Sequence, residues 1–256
     1  MASGSQDALK LDVLCFGPHP DDSEIGAGGV LLKLAQRGYA CGVVDMTAGE
    51  MGSGGDIEAR RAESQQAAEV LKLAARECMG LPDCGLEDTF EYRCQVAQVI
   101  RRHRPEVVLG PYYDLPPGRG LGHNDHIKGG LLVAHGANYA HLRKLPVEGE
   151  PWHPRAVYYY FLPMDLMPTF VVDITEQFDD YIRAIMCHES QFGRGDQNPG
   201  IRHFFESNAL RWGRWAGGRY AQAFYTPWPL AVQDVMSAAR IFQPAREDRL
   251  EHPADD

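Results

Sequence analysis

Short apolar runs alternate with longer segments of helical periodicity over the first 110 residues, and this alternation restricts the fold more than any other feature. The apolar runs cover residues 11–16, 40–46 and 106–110, and each has the length and composition of a buried strand. Helical patterns occupy residues 25–37, 57–72 and 92–103. This order predicts a doubly wound α/β fold with a mostly parallel sheet and helices on both faces.

The second half continues the pattern, with predicted strands at 156–161 and 170–173 and predicted helices at 175–188 and 204–217. A chain of 256 residues lies within the size of one hydrophobic core. We therefore expect a single domain over residues 11–236, flanked by a polar tail at 1–10 and a charged tail at 237–256. Three stretches rich in proline and glycine are predicted loops: 111–122, 146–154 and 193–200.

Charge and hydropathy exclude several classes of protein. The net charge of −10 argues against nucleic acid or an anionic membrane as a partner, and no apolar stretch is long enough to span a bilayer. The first ten residues lack the pattern of a secretory signal, so we expect a cytoplasmic protein. The six cysteines include no C-x-x-C pair and are expected to be reduced thiols without a catalytic role. The basic residues at 101–104 are predicted to form a solvated helix end.

Two clusters of histidine and aspartate follow predicted strands. In open α/β sheets, ligands bind beyond the carboxyl ends of the strands. His19 and Asp22 follow the first strand, and their spacing can turn both side chains toward one divalent cation. A histidine from the GHNDH segment at 122–126 would give the three protein ligands of a catalytic zinc site. Each of these residues also has a simpler interpretation when it is considered alone. His19 could be a structural histidine, and Asp21 or Asp22 could be the N-cap of a helix. The glycines at 26–29 lack the full dinucleotide-binding spacing.

The two segments PHPDDSEIGAGG and GHNDH resemble the LmbE-like, or PIG-L, zinc-dependent N-deacetylases of N-acetylglucosamine derivatives. The resemblance extends over nearly the whole chain and implies an LmbE-like, Rossmann-type fold. Four further details are most similar to the bacillithiol-pathway branch, which deacetylates N-acetylglucosaminyl-malate: TAGE at 47–50, GLPD at 80–83, YYY at 158–160 and SQF at 190–192.

The resemblance also implies a role for individual residues. The implied metal ligands are His19, Asp22 and His126. Asp21 would be the general base that activates the water bound to the metal, since its carboxylate adjoins a ligand without being one. His123 would stabilise the oxyanion or protonate the departing amine.

Three further residues are candidates for the site. Asp125 would orient His123, although it would also suit a cap of a helix beginning near Asn124. Arg60 matches a family position near the substrate, where it would bind a carboxylate such as that of malate. His188 is better explained as a structural histidine. The sequence departs from the family in having Asn124 in place of proline, and in the many glycines of the loop before it.

The leading hypothesis is hydrolysis of an N-acetyl amide on a glucosamine derivative, with a small amino sugar as the partner and Zn²⁺ as the cofactor. Fe²⁺ or Mn²⁺ also suits two histidines and one aspartate. An alternative is an amidase that acts on another acylated amine, such as an antibiotic or another glycoconjugate. A non-catalytic metal- or sugar-binding protein is a third hypothesis, against which the presence of Asp21, His123 and Asp125 argues. Homo-oligomerisation is left open.

Overall fold

Five strands form the central sheet of the protein, described here from a computed structural model that covers residues 9–118, 120–193 and 199–235. The strands are β1 (Val13–Gly17), β2 (Cys41–Thr47), β3 (Ala75–Leu81), β4 (Val107–Pro111) and β5 (Ala156–Tyr160). They are all parallel, in the order β3-β2-β1-β4-β5. The chain thus extends from β1 to one side through β2 and β3, and then to the other side through β4 and β5. The order reverses between β1 and β4, which is where ligands bind in sheets of this type.

Helices cover both faces of the sheet. One face carries α1 (Asp22–Gln36), α2 (Ile57–Val70) and α5 (Phe178–Met186), and the other carries α3 (Phe90–His103) and α4 (Asn124–Tyr139). The chain then adds the short α6 (Glu189–Phe192) and the longer α7 (Pro199–Ala216). An antiparallel pair, β6 (Phe170–Asp173) with β7 (Ala221–Phe224), lies beside them.

The side chains of β1 explain why this strand is central. Every residue of β1 is buried. Because successive side chains of a strand point to opposite faces, Val13 and Cys15 join the core beneath α1 and α5, whereas Leu14 and Phe16 join the core beneath α3 and α4. A strand buried on both faces has a continuous apolar sequence, as residues 13–16 do here.

The predicted doubly wound, single-domain α/β fold is confirmed. Two strands, β3 and β7, were not predicted, and neither was the short helix α6. β3 is an edge strand whose sequence, ARECMGL, places Arg76 and Glu77 among apolar residues, so it lacks the apolar run of a central strand. The helix predicted at 175–188 starts as a 3-10 turn and continues as α5 only to Met186, and the helix predicted at 204–217 begins earlier, at Pro199.

The prediction of a solvated basic cluster was wrong for Arg101. Its guanidinium is buried and donates to the carbonyl oxygens of four residues in the segment after α4: Ala140, Leu142, Val147 and Gly149. The tail at 237–256, residues 1–8 of the N-terminal tail and residues 194–198 of the third loop lie outside the described residues. Within the described ranges, none of the helices has the length and apolar character needed to cross a membrane.

Candidate metal centre

The turn after β1 brings His19, Asp21 and Asp22 to the carboxyl edge of the sheet. The Asp22 carboxylate accepts a hydrogen bond from the backbone N–H of His19 (2.9 Å), which closes the turn. The backbone N–H of Ile25 donates to the carbonyl of Asp21 (3.0 Å) as α1 begins. Asp21 has a φ of 136°, a strained conformation for a residue with a side chain, and its carboxylate does not cap the helix. The turn thus holds His19 and Asp22 together and leaves the Asp21 carboxylate free of the helix end.

The start of α4 supplies the third predicted ligand. Asp22 lies between two imidazoles: its Oδ2 is 3.1 Å from Nδ1 of His19, and its Oδ1 is 3.2 Å from Nε2 of His126. One ligand atom from each of these three residues lies within 4.8 Å of the others. The Nδ1 of His126 is 3.2 Å from the carbonyl oxygen of Leu121, to which it donates as the N–H tautomer. Its Nε2 lone pair is then available to a metal ion.

The electrostatics of this cluster suit a cation. Burial alone would favour a neutral His19 ring, but hydrogen bonds to Asp125, Asp22 and Asp83 raise its pKa to about 12. At Asp22, burial alone would raise the pKa of the carboxyl. The nearby His126 and His19 outweigh this effect, so that the pKa falls well below its usual range. Carboxylates that stabilise a proton on an imidazole also stabilise a divalent ion. Two imidazole nitrogens and one carboxylate fit a catalytic zinc-type site with an open position.

Asp125 is paired with His19 rather than with His123. Its Oδ2 lies 3.3 Å from Nε2 of His19 and accepts a hydrogen bond from the backbone N–H of Cys84 (2.7 Å). Only the backbone N–H of Asp125 donates to the His123 ring, at 3.2 Å. The carboxylate is fully buried and therefore orients the other nitrogen of a predicted metal ligand. Its predicted role as the residue that orients His123 stays a prediction.

Asp83 and Cys84 also lie at this site, although neither was predicted from the sequence. Both follow β3, whose carboxyl end lies at the same edge of the sheet as those of β1 and β4. Asp83 Oδ1 is 3.3 Å from Nε2 of His19, and its other oxygen accepts from the backbone N–H of Met51 (2.8 Å). The sequence motif GLPD at 80–83 contains Asp83. Because β3 was not predicted, no feature of the sequence indicated that this motif lies beside His19.

Asp21 and His123 are the two groups predicted to move protons. Burial raises the pKa of Asp21 to about 7, and Asp22 adds to the rise against the charges of His188, Arg60 and His19. Burial lowers the pKa of His123, and the nearby His19 lowers it further. The His123 ring lies 5.1 Å from that of His19 and 5.6 Å from that of His126, measured between centroids. His123 is thus beside the predicted metal ligands, at the N-cap of α4.

Arg60 and His188 are both buried close to the turn that carries Asp21. The Arg60 guanidinium donates to the backbone carbonyls of Gly49 (2.8 Å) and Pro20 (3.0 Å). It therefore holds the backbone next to Asp21, and its contact with substrate stays a prediction. His188 is fully buried, and its Nε2 is 3.3 Å from Glu24.

Comparison with known proteins gives the family. The model described as PIG-L, GlcNAc-PI de-N-acetylase, matches residues 14–136. A diacetylchitobiose deacetylase of Thermococcus kodakarensis is 34% identical over 222 residues, covering 82% of this chain and 80% of that protein. The chain belongs to the PIG-L family. The family predicted from PHPDDSEIGAGG and GHNDH is confirmed, and the chain is an enzyme of this deacetylase family.

Other relatives of this chain differ in substrate and in reaction. A probable N-acetyl-alpha-D-glucosaminyl L-malate deacetylase of Bacillus cereus is 29% identical, covering 72% of this chain and 84% of that protein. A 4-oxalmesaconate hydratase of Pseudomonas putida is also 29% identical, covering 71% of this chain and 74% of that protein. Among solved structures, a conserved protein of Thermus thermophilus aligns with a TM-score of 0.79 at 36% identity, covering 87% of this chain and 97% of that one. Family membership alone therefore does not select one substrate.

Proposed function

We propose that this PIG-L protein hydrolyses the N-acetyl amide of a glucosamine-type sugar, with a divalent metal held by His19, Asp22 and His126. The observation that carries this proposal is the convergence of these three ligand atoms within 4.8 Å at the point where the strand order reverses, beside Asp21 and His123. Zinc as the metal, the malate aglycone and a cytoplasmic location stay predictions. The relatives that deacetylate diacetylchitobiose and glucosaminyl-malate support the broader class of N-acetylglucosamine derivatives.

The roles of the protein groups follow from their chemistry. A divalent ion at such a site lowers the pKa of a coordinated water to about 7 and polarises a carbonyl oxygen. Asp21 accepts the proton that the attacking water loses. A C–O bond forms at the amide carbon, and its carbonyl oxygen gains negative charge, which His123 stabilises by a hydrogen bond. The C–N bond then breaks, and the proton passes to the departing nitrogen, giving acetate and a free amine.

The test is an acetate-release assay on N-acetylglucosaminyl-malate, N,N'-diacetylchitobiose and free N-acetylglucosamine, with and without a chelator. We expect chelator-sensitive release from at least one of them. The Asp21→Asn variant should keep the metal, measured by elemental analysis, and lose most turnover. Normal turnover by Asp21→Asn would remove the base assignment, and full metal content in His126→Ala would remove that residue from the ligand set.

The P. putida relative favours a second candidate function, the hydration of an unsaturated polycarboxylate such as 4-oxalmesaconate. The same panel separates the two functions if 4-oxalmesaconate is included and its absorbance is followed. Consumption of that substrate with no acetate release from any of the sugars would replace the deacetylase proposal.

A further inference from the structure

A groove of about 440 Å³ lies at the carboxyl edge of the sheet, between the loop that follows β4 and the segment that follows β5. Three of the side chains that line it are polar, namely Tyr112, Asp114 and Asp165, and the others are leucines and prolines. Pockets that bind small ligands have volumes of roughly 300–1,000 Å³ and a few polar groups in an apolar lining. The groove thus has the size and lining of a ligand site, and the proposed chemistry does not use it.

Both walls of the groove adjoin the candidate metal centre. The first wall includes Pro116, which packs so closely on Gly122 that a Cβ at this glycine would overlap the Pro116 carbonyl oxygen. Gly122 immediately precedes His123. The segment that forms the second wall starts at Phe161, whose ring lies 5.3 Å from that of His126, measured between centroids. A molecule in the groove therefore lies next to a substrate bound at the metal.

Tyr112 is fixed in position, but its hydroxyl is free to bind a ligand. The residue is only 7% exposed, and its ring packs against those of Tyr113 and Tyr225, with centroid distances of 5.4 and 5.3 Å. The hydroxyl has no hydrogen-bond partner within the described ranges and is not enclosed by protein atoms. Because the residue lines the groove, this hydroxyl can donate a hydrogen bond to a ligand there and accept one from it.

Asp114 and Asp165 give the groove a negative charge. Both side chains are exposed, and neither carboxylate has a hydrogen bond or an ion pair in the part of the chain that the structure describes. Arg211 donates to the carbonyl of Met164 (2.8 Å) and not to Asp165. Burial raises the pKa of Tyr112, and the charges of Asp114 and Asp165 raise it further. Two unpaired carboxylates beside one cavity favour a positively charged ligand.

An amino sugar with a protonated amine has the groups that this lining selects. Its ammonium group can donate charge-assisted hydrogen bonds to the two carboxylates, and its ring hydroxyls can pair with the phenol. The apolar face of its ring suits the leucines and prolines. The proposed reaction turns an N-acetyl group into such an amine, so a neighbouring sugar unit that has already lost its acetyl group fits the groove. A carboxylate such as that of malate would instead be repelled.

We propose that this groove is a subsite for the protonated amine of a glucosamine unit, which Asp114, Asp165 and the Tyr112 hydroxyl bind. The enzyme thereby prefers a disaccharide that carries a free amine on the sugar beside the one that is hydrolysed. The preference among substrates rests on the proposed function, whereas the binding of the amine does not.

The first experiment does not depend on turnover. In metal-loaded protein labelled with 3-fluorotyrosine, the Tyr112 signal is identified as the one lost in Tyr112→Phe. Glucosamine is then titrated at a pH below the pKa of its amine, beside N-acetylglucosamine, which has no charge. We expect glucosamine to move the Tyr112 signal and N-acetylglucosamine to leave it in place. Asp114→Asn and Asp165→Asn should each raise the midpoint of the glucosamine titration about 10-fold, because each removes one charged acceptor.

The exposed Glu150→Gln is the matched control for these variants. It lies in the loop before β5, at the opposite end of the sheet, and should keep the wild-type midpoint. A Tyr112 signal that glucosamine does not move, or that N-acetylglucosamine moves equally, would overturn the proposal. A signal that calcium ions move and glucosamine does not would assign the groove to a metal ion and would also overturn it.

The second experiment is kinetic. It compares kcat/KM for acetate release from chitobiose with one acetyl group and from N,N'-diacetylchitobiose. We expect the wild type to favour the first substrate, and Asp114→Asn and Asp165→Asn should each reduce the ratio about 10-fold. Glu150→Gln should keep the wild-type ratio. The same ratio in wild type and both aspartate variants would overturn the specificity role. If the wild type releases no acetate from any sugar, the proposed function fails, whereas the titration still decides whether the groove binds the amine.

Discussion

Asp21 bears two energetic costs in one residue. Its φ of 136° is unfavourable for any side chain, and the negative charge of the neighbouring Asp22 disfavours the ionised form of the half-buried Asp21 carboxyl. Residues held in this way are concentrated at functional sites, where the rest of the structure stabilises them. Here the stabilising contacts are the hydrogen bond from the backbone N–H of His19 to the Asp22 carboxylate and the hydrogen bond from Arg60 to the carbonyl of Pro20.

Replacement of Asp21 should separate backbone strain from loss of the carboxylate. Asp21→Ala and Asp21→Gly both remove the carboxylate, but only glycine relieves the positive φ. We expect Asp21→Gly to be more stable than Asp21→Ala by roughly 1 kcal/mol, measured by urea unfolding. Equal stabilities, or a more stable alanine variant, would show that the conformation is not strained.

Asp125 contacts the predicted metal ligand His19 through the ring nitrogen that does not face Asp22. Because its carboxylate holds Nε2 of His19, Asp125→Asn should weaken metal binding about 10- to 100-fold, measured by competition with a chromogenic chelator. Asp114→Asn, in the exposed loop after β4, is the control and should bind the metal normally. Unchanged affinity combined with lost turnover would instead favour the predicted action of Asp125 on His123.

At the scale of elements, α1 approaches the sheet closely because glycines replace larger side chains on its inner face. A Cβ at Gly26 would overlap the ring of Tyr160, which cannot move freely because it is fully buried and its hydroxyl donates to the carbonyl of Phe16 (2.6 Å). A Cβ at Gly28 would meet only ordinary contacts with Tyr181 and Leu71.

These two glycines give a matched pair of substitutions. Gly26→Ala should destabilise the protein by about 1–3 kcal/mol, because the added methyl group forces the helix from β5. Gly28→Ala should stabilise it by roughly 0.5–1 kcal/mol, because alanine favours the helix. Chemical denaturation of both variants is the measurement, and a Gly26→Ala variant as stable as Gly28→Ala would contradict the close packing.

The end of α3 is joined to β3 by a titratable pair. The hydrogen bond that His103 donates to the Glu77 carboxylate raises the pKa of this imidazole despite partial burial, and Nδ1 of His103 also lies 2.9 Å from the carbonyl oxygen of Leu9. Because the folded-state pKa of His103 is raised, protonation of this residue stabilises the folded protein. The stabilisation is complete when the pH is below the unfolded-state pKa of about 6.5, and it is lost as the pH rises through the folded-state pKa.

The stability of wild type relative to His103→Gln should therefore fall as the pH is raised above about 6.5. Urea midpoints at several pH values measure this difference. When Glu77→Gln is present in both proteins, the difference in stability between the protein with His103 and the protein with His103→Gln should no longer depend on pH. A constant difference between wild type and His103→Gln at all pH values would exclude the pair as a source of stability.

At the scale of the whole molecule, Arg76 connects elements that are distant in the sequence. Its guanidinium contacts Glu24 of α1, Asp45 of β2 and the carbonyl of Ser64 in α2, and His188 lies beside the same Glu24. Removing the guanidinium would leave two buried carboxylates without their main counter-charge.

We expect Arg76→Met to destabilise the protein by about 3–5 kcal/mol in denaturant unfolding. Arg202→Met is the control, because its ion pair with Asp179 is exposed and should contribute less than about 1 kcal/mol. Similar effects of the two substitutions would show that the buried group is not essential to the fold.

The sequence alone determined the features that depend on local pattern. Apolar runs and helical periods gave the α/β alternation, and the spacing of His19 and Asp22 after a buried strand gave two ligands of the candidate metal site. The tertiary structure decided which distant groups surround them. It placed the charged edge strand β3 beside β2, which brings Asp83 to His19 and Cys84 to Asp125. It paired Asp125 with His19, and it buried Arg101 among carbonyls. These contacts depend on how whole elements pack, which no local spacing encodes.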